Sequence, residues 1–461
     1  MEYSQFLKDK HLENTPTGFD IDDRELPRNL YPFQHDLVKW AVKRGKSALF
    51  TMTGTGKTAM QVSWAHVIYK HTNKDVLILA PLAVSKQTIR EALKFKIIVN
   101  PIRSSDDIKP GINIANYEML HHFDPNDFAG IVLDEASIIK SYSGATRNAI
   151  IEFSKNVNYR LACTATPSPN DYIELGNHAE FLGIMSYNEM LATFFIHDGG
   201  DTAKWRLKRH AEKPFWKWLA SWGIFLTKPG DLNYSNEGFD LPELITKQHV
   251  VKSPVQKGFL LATEARSLDE RRKARKSTID LRIDKCVEIV NASNKPFLIW
   301  CGLNEESTKL KQSIPGAVEV TGSDTDEHKE KSMLDFAEGK IDVLISKPSI
   351  CGFGMNFQVC SNTAFVGISD SFEALFQATK RFHRHGQLNT VTRHLIISES
   401  EGTVLANVQR KEREFEVMIN TMVEHTKVMT LKNVRNLENE KDDYCADKIM
   451  KKPNWLIEGG Y

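Results

Sequence analysis

Between residues 30 and 180, short apolar runs alternate with longer segments that mix apolar and polar positions. SALF (47–50), VLILA (76–80), INIAN (112–116), GIVLDE (130–135) and RLACTAT (160–166) read as strands. Several are apolar at consecutive positions, as expected of parallel strands buried on both faces. The intervening KTAMQVSWAHVIYKH and VSKQTIREALKF read as helices, so this part predicts a doubly wound α/β lobe. The alternation returns after residue 296 with PFLIWC, AVEVTG, IDVLIS, TAFVGI and TRHLIIS. Between the two lies a stretch rich in aromatic and basic residues with helical more than strand spacing.

The predicted plan is a first lobe over 1–180, a helical insertion over 181–245 and a charged helical linker over 246–290. A second lobe follows over 291–400, then a helical tail over 401–461. A chain of 461 residues has ample length for several cores. No run of about 18 apolar residues occurs, which argues against a membrane span. The six cysteines are scattered without a CxxC pair, which argues against a zinc site or disulfide framework and predicts a cytoplasmic setting. The formal net charge of +1 gives no overall sign of nucleic-acid binding, so any such contact must come from local patches.

FTMTGTGKTAM (50–60) follows the first strand and opens a helix. Glycines let backbone N–H groups approach phosphates, and the helix N-terminus favours negative charge. Thr53, Gly54, Thr55, Gly56, Lys57 and Thr58 are therefore candidate nucleotide-binding residues. Lys57 would reach the terminal phosphates of ATP, and the Thr58 hydroxyl would ligate Mg²⁺. GIVLDEASIIK brings Asp134 and Glu135 to the end of another strand. Asp134 would hold Mg²⁺ through water, and Glu135 would polarise the attacking water as general base.

Late in the chain, EALFQATKRFHRHGQ carries Arg381 and Arg384 three residues apart, the spacing of one helix face. Such a pair could neutralise charge developing on a phosphate. A solvated basic helix, or one that binds a phosphate backbone, has the same spacing. The surrounding residues decide between them: Gln377, Ala378, Arg381, His383, Arg384, Gly386 and Gln387 match the last motif of the Swi/Snf-like branch of superfamily-two helicases and ATPases nearly position by position.

The chain resembles that branch over roughly residues 28–400, and small bacterial and bacteriophage members most. LISKPSICGFGMNFQ resembles the preceding motif, and DEASIIKSYSGATRNA the extended acidic motif. The resemblance implies two RecA-like parallel-sheet lobes with helical insertions, using ATP and Mg²⁺. It implies adenine recognition by Gln34, nucleotide contacts by Gly354 and Gln377, and arginine-finger roles for Arg381 and Arg384. Thr164 and Thr166, in CTATPSPND, would couple ATP state to nucleic acid. Thr51 replaces the first glycine of the common P-loop pattern, which fits the helicase version. Ser137 stands where many relatives have His, and Lys347 to Cys351 is one residue longer than in eukaryotic remodellers.

KWRLKRHAEKPFWKW leaves two readings: phosphate and base contacts, or a tryptophan core with lysines outside. Core packing is favoured for most of the tryptophans, with Lys204, Arg206, Lys208 and Arg209 kept as phosphate candidates. The expected activity is a DNA-stimulated ATPase translocating mainly on duplex DNA, with single strands as a second substrate. An RNA-directed helicase and an ATP-gated recruiting subunit of a nuclease or replication complex are the alternatives. A protein partner at the C-terminal tail, and a monomer in the absence of DNA, complete the expectation.

Overall fold

Strands apolar at consecutive positions need cover on both faces, and two parallel sheets supply it. The structure, a computed structural model, describes residues 15–198, 201–252, 275–351, 356–369 and 371–435. The first part of the chain contains β1 (Lys46–Thr51), β2 (Asp75–Ala80), β3 (Val99–Pro101), β4 (Ile112–Asn116), β5 (Phe128–Asp134) and β6 (Tyr159–Thr164). An antiparallel hairpin, β7 (Phe195–Asp198) and β8 (Asp201–Leu207), follows, then β9 (Gly223–Leu226). Apart from the hairpin these strands form one sheet in the order β3-β4-β2-β5-β6-β1-β9. Its pairs are parallel, with Ala48 opposite both Ala162 and Gly223.

Side chains alternate across this sheet with period two. Leu77, Leu79, Ile131 and Leu133 enter one core, and Val76, Ile78, Val132 and Leu161 the other. The second sheet holds β10 (Leu244–Val251), β11 (Phe297–Cys301), β12 (Val318–Val320), β13 (Val343–Ser346), β14 (Asn362–Val366) and β15 (Val391–Ser398). Its order is β10-β15-β14-β11-β13-β12, again parallel. Leu298 and Trp300 point to one core, and Phe297, Ile299 and Cys301 to the other. The fold is thus α/β, with two RecA-like parallel-sheet lobes.

Two expectations are corrected. Residues 181–245 are not simply helical. Helices Tyr187–Phe194 and Glu212–Ala220 flank the hairpin, and β9 returns to pair with β1 as the edge of the first sheet. GIFL is too short an apolar run to be told from a buried helix turn by pattern. Residues 246–290 are not a helical linker throughout either. β10 pairs with β15 along its whole length, from Leu244 opposite Val391 to Val251 opposite Ser398. An edge strand with Lys247 and Gln248 exposed reads as polar sequence. The helix Ile279–Asn291 follows, and most of the basic run at 270–276 lies outside the described residues.

Trp216, Trp218 and Trp222 are buried in the first lobe, as favoured, while Trp205 is half-buried. Cys301, Cys351 and Cys360 are buried as well, and burial pushes the thiols of Cys351 and Cys360 up to about 12. In the second lobe Arg282 and Glu306 are fully buried and paired at 2.6 Å. Glu306 also accepts from the backbone N–H groups of Gly302 and Leu303 at 2.9 Å each. The helix Gly402–Val434 ends the described chain. Its Val404, Leu405 and Val408 enter a second-lobe core, Phe415 packs on Phe372 and Phe376 of the second lobe, and Met418, Ile419 and Met422 enter the cluster that the first lobe dominates. Among the described residues no helix is long and apolar enough to cross a membrane.

Candidate nucleotide site between the lobes

The neighbouring strands β5, β6 and β1 end on one rim of the first sheet, the edge where parallel sheets place ligands. Beyond β1 the chain turns through Gly54 (φ 93°) and Gly56 (φ 84°) into the helix Lys57–Thr72. Both conformations suit glycine, and space requires it too. A Cβ on Gly56 would come within 2.2 Å of Gln34 Nε2, and one on Gly54 within 2.8 Å of the His385 backbone nitrogen. The loop is therefore covered by the second lobe.

Lys57 Nζ donates to the Thr51 carbonyl at 2.7 Å. Burial pulls its ammonium down to about 8, against the pull of Glu135 and Asp134. Thr55 donates to the Met52 carbonyl at 2.8 Å, whereas the buried Thr53 hydroxyl has no hydrogen-bond partner. Thr58 is the second residue of the helix and half-buried. Gln34 donates through Nε2 to the Thr55 carbonyl at 2.8 Å, and its Oε1 accepts from the Tyr31 N–H at 2.9 Å. A primary amide keeps one N–H and one lone pair beyond these contacts, a set that can still pair with an adenine edge.

Asp134 closes β5 and is buried, which raises its carboxyl above the usual range, while Gln61 Nε2 donates to it at 2.9 Å. Tyr117 donates to the Asp134 carbonyl at 2.7 Å. Glu135 is left-handed (φ 59°, ψ 56°), a conformation rare for a residue with a Cβ. That turn aims its carboxylate at β6, where Thr164 donates to Oε1 at 2.6 Å and Ser137 donates to the same oxygen at 3.2 Å. The Thr166 N–H donates to Thr164 Oγ1 at 3.0 Å, so both threonines line this network.

From the second lobe, Arg381 is buried among the charges of Glu135 and Asp134, and burial lowers its guanidinium. It donates to Gln377 Oε1 at 3.3 Å. Arg384 donates to Asn356, lies within the charge field of Lys57, and is lowered by burial to about 10. The expectation that both arginines share a helix face is corrected. The helix Phe372–Thr379 ends before them, and the Arg381 carbonyl accepts from the Phe357 N–H at 2.8 Å, which takes it out of the helical ladder. Both still reach the cleft, from a turn.

Nε of Arg381, Nε of Arg384 and Nε2 of Gln377 are buried without partners. With the orphaned Thr53 hydroxyl and the glycine cradle, these donors fit an anion between the lobes. Ion pairs also close the cleft: Glu330 accepts from Lys86 at 2.5 Å and from Arg90 at 2.8 Å, and Lys140 pairs with Glu373.

The phosphate candidates of the insertion are not part of this site. Lys208 donates to the carbonyls of Ala192 and Thr193 at 2.7 and 3.2 Å, capping a helix end. Arg206 and Arg209 are exposed. Gly354 and the Lys204 side chain lie outside the described residues. Sequence reasoning missed Gln61 and His385. Gln61 stands four residues after Lys57 on the same helix, a spacing that could have flagged it. His385 occupies a variable position of its motif and carried no signal.

Residues 28–169 match the family described as "Type III restriction enzyme, res subunit". A protein called p41 from Acyrthosiphon pisum secondary endosymbiont phage 1 is 24% identical over 390 residues, spanning 71% of this chain and 82% of its own. The "Chromodomain-helicase-DNA-binding protein 3 homolog" of Caenorhabditis elegans is 24% identical over 36% of this chain and 12% of its own length. A "SWI/SNF-related matrix-associated actin-dependent regulator of chromatin subfamily A-like protein 1" from Xenopus tropicalis is 29% identical over 33% of this chain and 17% of its own. The chain thus spans most of the phage relative and less than a fifth of these two animal ones. Among solved structures, "Sulfolobus solfataricus SWI2/SNF2 ATPase core in complex with dsDNA" aligns over 90% of this chain and 98% of its own, at 18% identity and a TM-score of 0.42. The chain is thus similar to the res-subunit family over residues 28–169, to a phage protein over most of its length and to Swi/Snf-related animal proteins over about a third of it.

Proposed function

We propose that the chain is a DNA-stimulated ATPase that converts hydrolysis into movement along duplex DNA. The observation that carries this reading is Arg381 of the second lobe, buried among the charges of Glu135 and Asp134 of the first. An ATPase whose finger and general base sit on different lobes turns over only when the lobes close. Opening and closing is then the mechanical stroke. The name of the nematode relative, which includes helicase and DNA binding, supports DNA as the track.

In this mechanism Lys57 and the loop amides hold the phosphates, and Gln34 selects adenine. Glu135, oriented by Thr164 and Ser137, takes the proton of the attacking water. Arg381 and Arg384 offset charge in the transition state. Mg²⁺, held by Thr58 and through water by Asp134, would neutralise phosphate charge when bound. Thr164 touches the base and opens the loop 165–171, so a shift there reaches Glu135 directly.

Steady-state ATP turnover with no nucleic acid, single strands, blunt duplex, forked DNA and RNA tests the reading. Duplex should stimulate most. Equal or greater stimulation by RNA would refute DNA as the track, and absence of turnover with every polymer would refute a motor.

A further inference from the structure

We propose that the groove between the β7–β8 hairpin and the C-terminal helix is a second nucleic-acid site, one that holds a few nucleotides of a single strand. It deepens the reading of a DNA motor and rests on it. The groove measures about 780 Å³ and is bounded by three elements: the loop Pro169–Tyr172, the hairpin, and the helix turns from Arg410 to Met418.

Its walls are aromatic and held in place. Trp205 lies against His197 with ring centroids 3.7 Å apart and planes tilted by 35°, and Tyr172 meets Trp216 edge-on at 5.5 Å. Phe195 and Phe415 lie deeper and are buried. Its rim is cationic, with Arg206, Arg410, Lys411 and Arg413. Arg410 and Arg413 are three residues apart on one helix, so they share a face. Two carboxylates also line the groove, and both are engaged internally. Glu414 pairs with Arg410 at 2.7 Å, and Asp171 accepts from the Ile173 N–H at 3.1 Å. Four cations against two carboxylates leave the lining net positive, with Arg410 already paired to Glu414.

Flat aromatic faces below a cationic rim suit unpaired nucleotides, which stack bases on the walls and set phosphates on the rim. A volume in the range of about 300–1,000 Å³ encloses one small ligand or a few nucleotides. Stacking on these walls requires unpaired bases, which a duplex does not offer. The loop Pro169–Tyr172 follows Thr164 and Thr166 in the chain, and just before it the buried Ser168 donates to Met418 Sδ at 3.4 Å, tying it to the helix. A strand lying here would therefore rest on the loop that follows Thr164, the residue that donates to Glu135.

The test uses the full chain and the double variant Arg410→Gln/Arg413→Gln, both exposed positions. The probe is a twelve-residue thymidine oligonucleotide carrying 5-iodouracil. Each phosphate contact on a single strand adds about 0.7 to the slope of log K against log salt, so losing two should lower the slope by about 1.4 and affinity about 25-fold at 0.1 M salt. Duplex-stimulated turnover should stay at the wild-type level, and photo-crosslinks in the wild type should map to Tyr172 or Trp205. Unchanged oligonucleotide affinity overturns the proposal, as does an equal loss of duplex binding or crosslinking confined to other residues. If a synthetic peptide of residues 436–461 binds in a manner the variant loses, and the oligonucleotide is unaffected, the groove belongs to the chain's own tail. Failure of the motor reading would appear separately, as loss of duplex stimulation in the unmodified protein.

Discussion

Glu135 combines a chemical role with a strained backbone, and three substitutions separate them. Its φ of 59° and ψ of 56° place a Cβ where L-residues pay about 1–2 kcal/mol. Glu135→Ala keeps that cost and removes the carboxylate. Glu135→Gly removes both, but gives the unfolded chain more freedom, which offsets about 0.5–1 kcal/mol. The hydrogen bond from Thr164 to the Glu135 carboxylate, 2.6 Å long, is absent from both variants, so it cancels between them. The glycine variant should therefore exceed the alanine variant in stability by about 0.75 kcal/mol, the difference between the midpoints of those two terms. Glu135→Gln preserves the backbone and one acceptor oxygen, so it should fold like wild type. All three should lose about 10²–10⁴-fold in ATP turnover, the usual contribution of a general base. Urea unfolding, compared at matched slopes, measures the stability difference, and coupled-enzyme turnover at saturating duplex measures the rate. An alanine variant as stable as the glycine variant would refute the strain, and near-wild-type turnover in Glu135→Gln would refute the base.

Arg381→Ala should bind ATP nearly as wild type yet lose about 10³-fold or more in turnover; recovery at saturating duplex would show a DNA contact instead of a finger. Gln34→Ala should raise the KM for ATP and narrow its advantage over GTP, because the amide that holds the Thr55 carbonyl keeps one donor and one acceptor to spare for an adenine edge; unchanged discrimination in a competition assay would remove it from that role. Glu306→Ala should destabilise the second lobe by about 3–5 kcal/mol in urea unfolding, since it leaves the buried Arg282 with only Glu401, 4.0 Å away, and removes the carboxylate that Arg275 also uses; a destabilisation under about 1 kcal/mol would mean that Glu401 takes over the pairing.

The central strands were legible because β2, β5 and β6 are buried on both faces and so carry apolar residues without interruption. The places of the glycine loop and of Asp134 and Glu135 at strand ends of one sheet were legible because an apolar run stops at each. β9 was not, since four apolar residues carry no period. β10 was not, because its side chains meet water and only its backbone belongs to the sheet. The arginine turn was misread for a different reason. Spacing of three suits a helix, but a single tertiary hydrogen bond from Phe357 to the Arg381 carbonyl decides the local geometry, and that partner lies far away in sequence. His385 over Gly54 belongs to the same class, a contact made by lobe closure and by nothing local.

The helix Gly402–Val434 has a mechanical consequence. Thirty-three residues at about 1.5 Å each make a rod of roughly 50 Å. One end is rooted at Val404, Leu405 and Val408 in the second lobe, where Phe415 also packs on Phe372 and Phe376, and the other is rooted from Met418 onward against the first lobe. Two bodies sharing a rod cannot drift apart freely. Their separation must be taken up where the rod passes from one lobe to the other, Phe415 to Met418, by bending, or by peeling one root from its core. The first lets the cleft flex through a narrow arc at small cost. The second exposes Met418 and Met422 and costs several kcal/mol. The rod therefore acts as a travel stop, limiting each stroke to the angle that about one turn of helix can absorb.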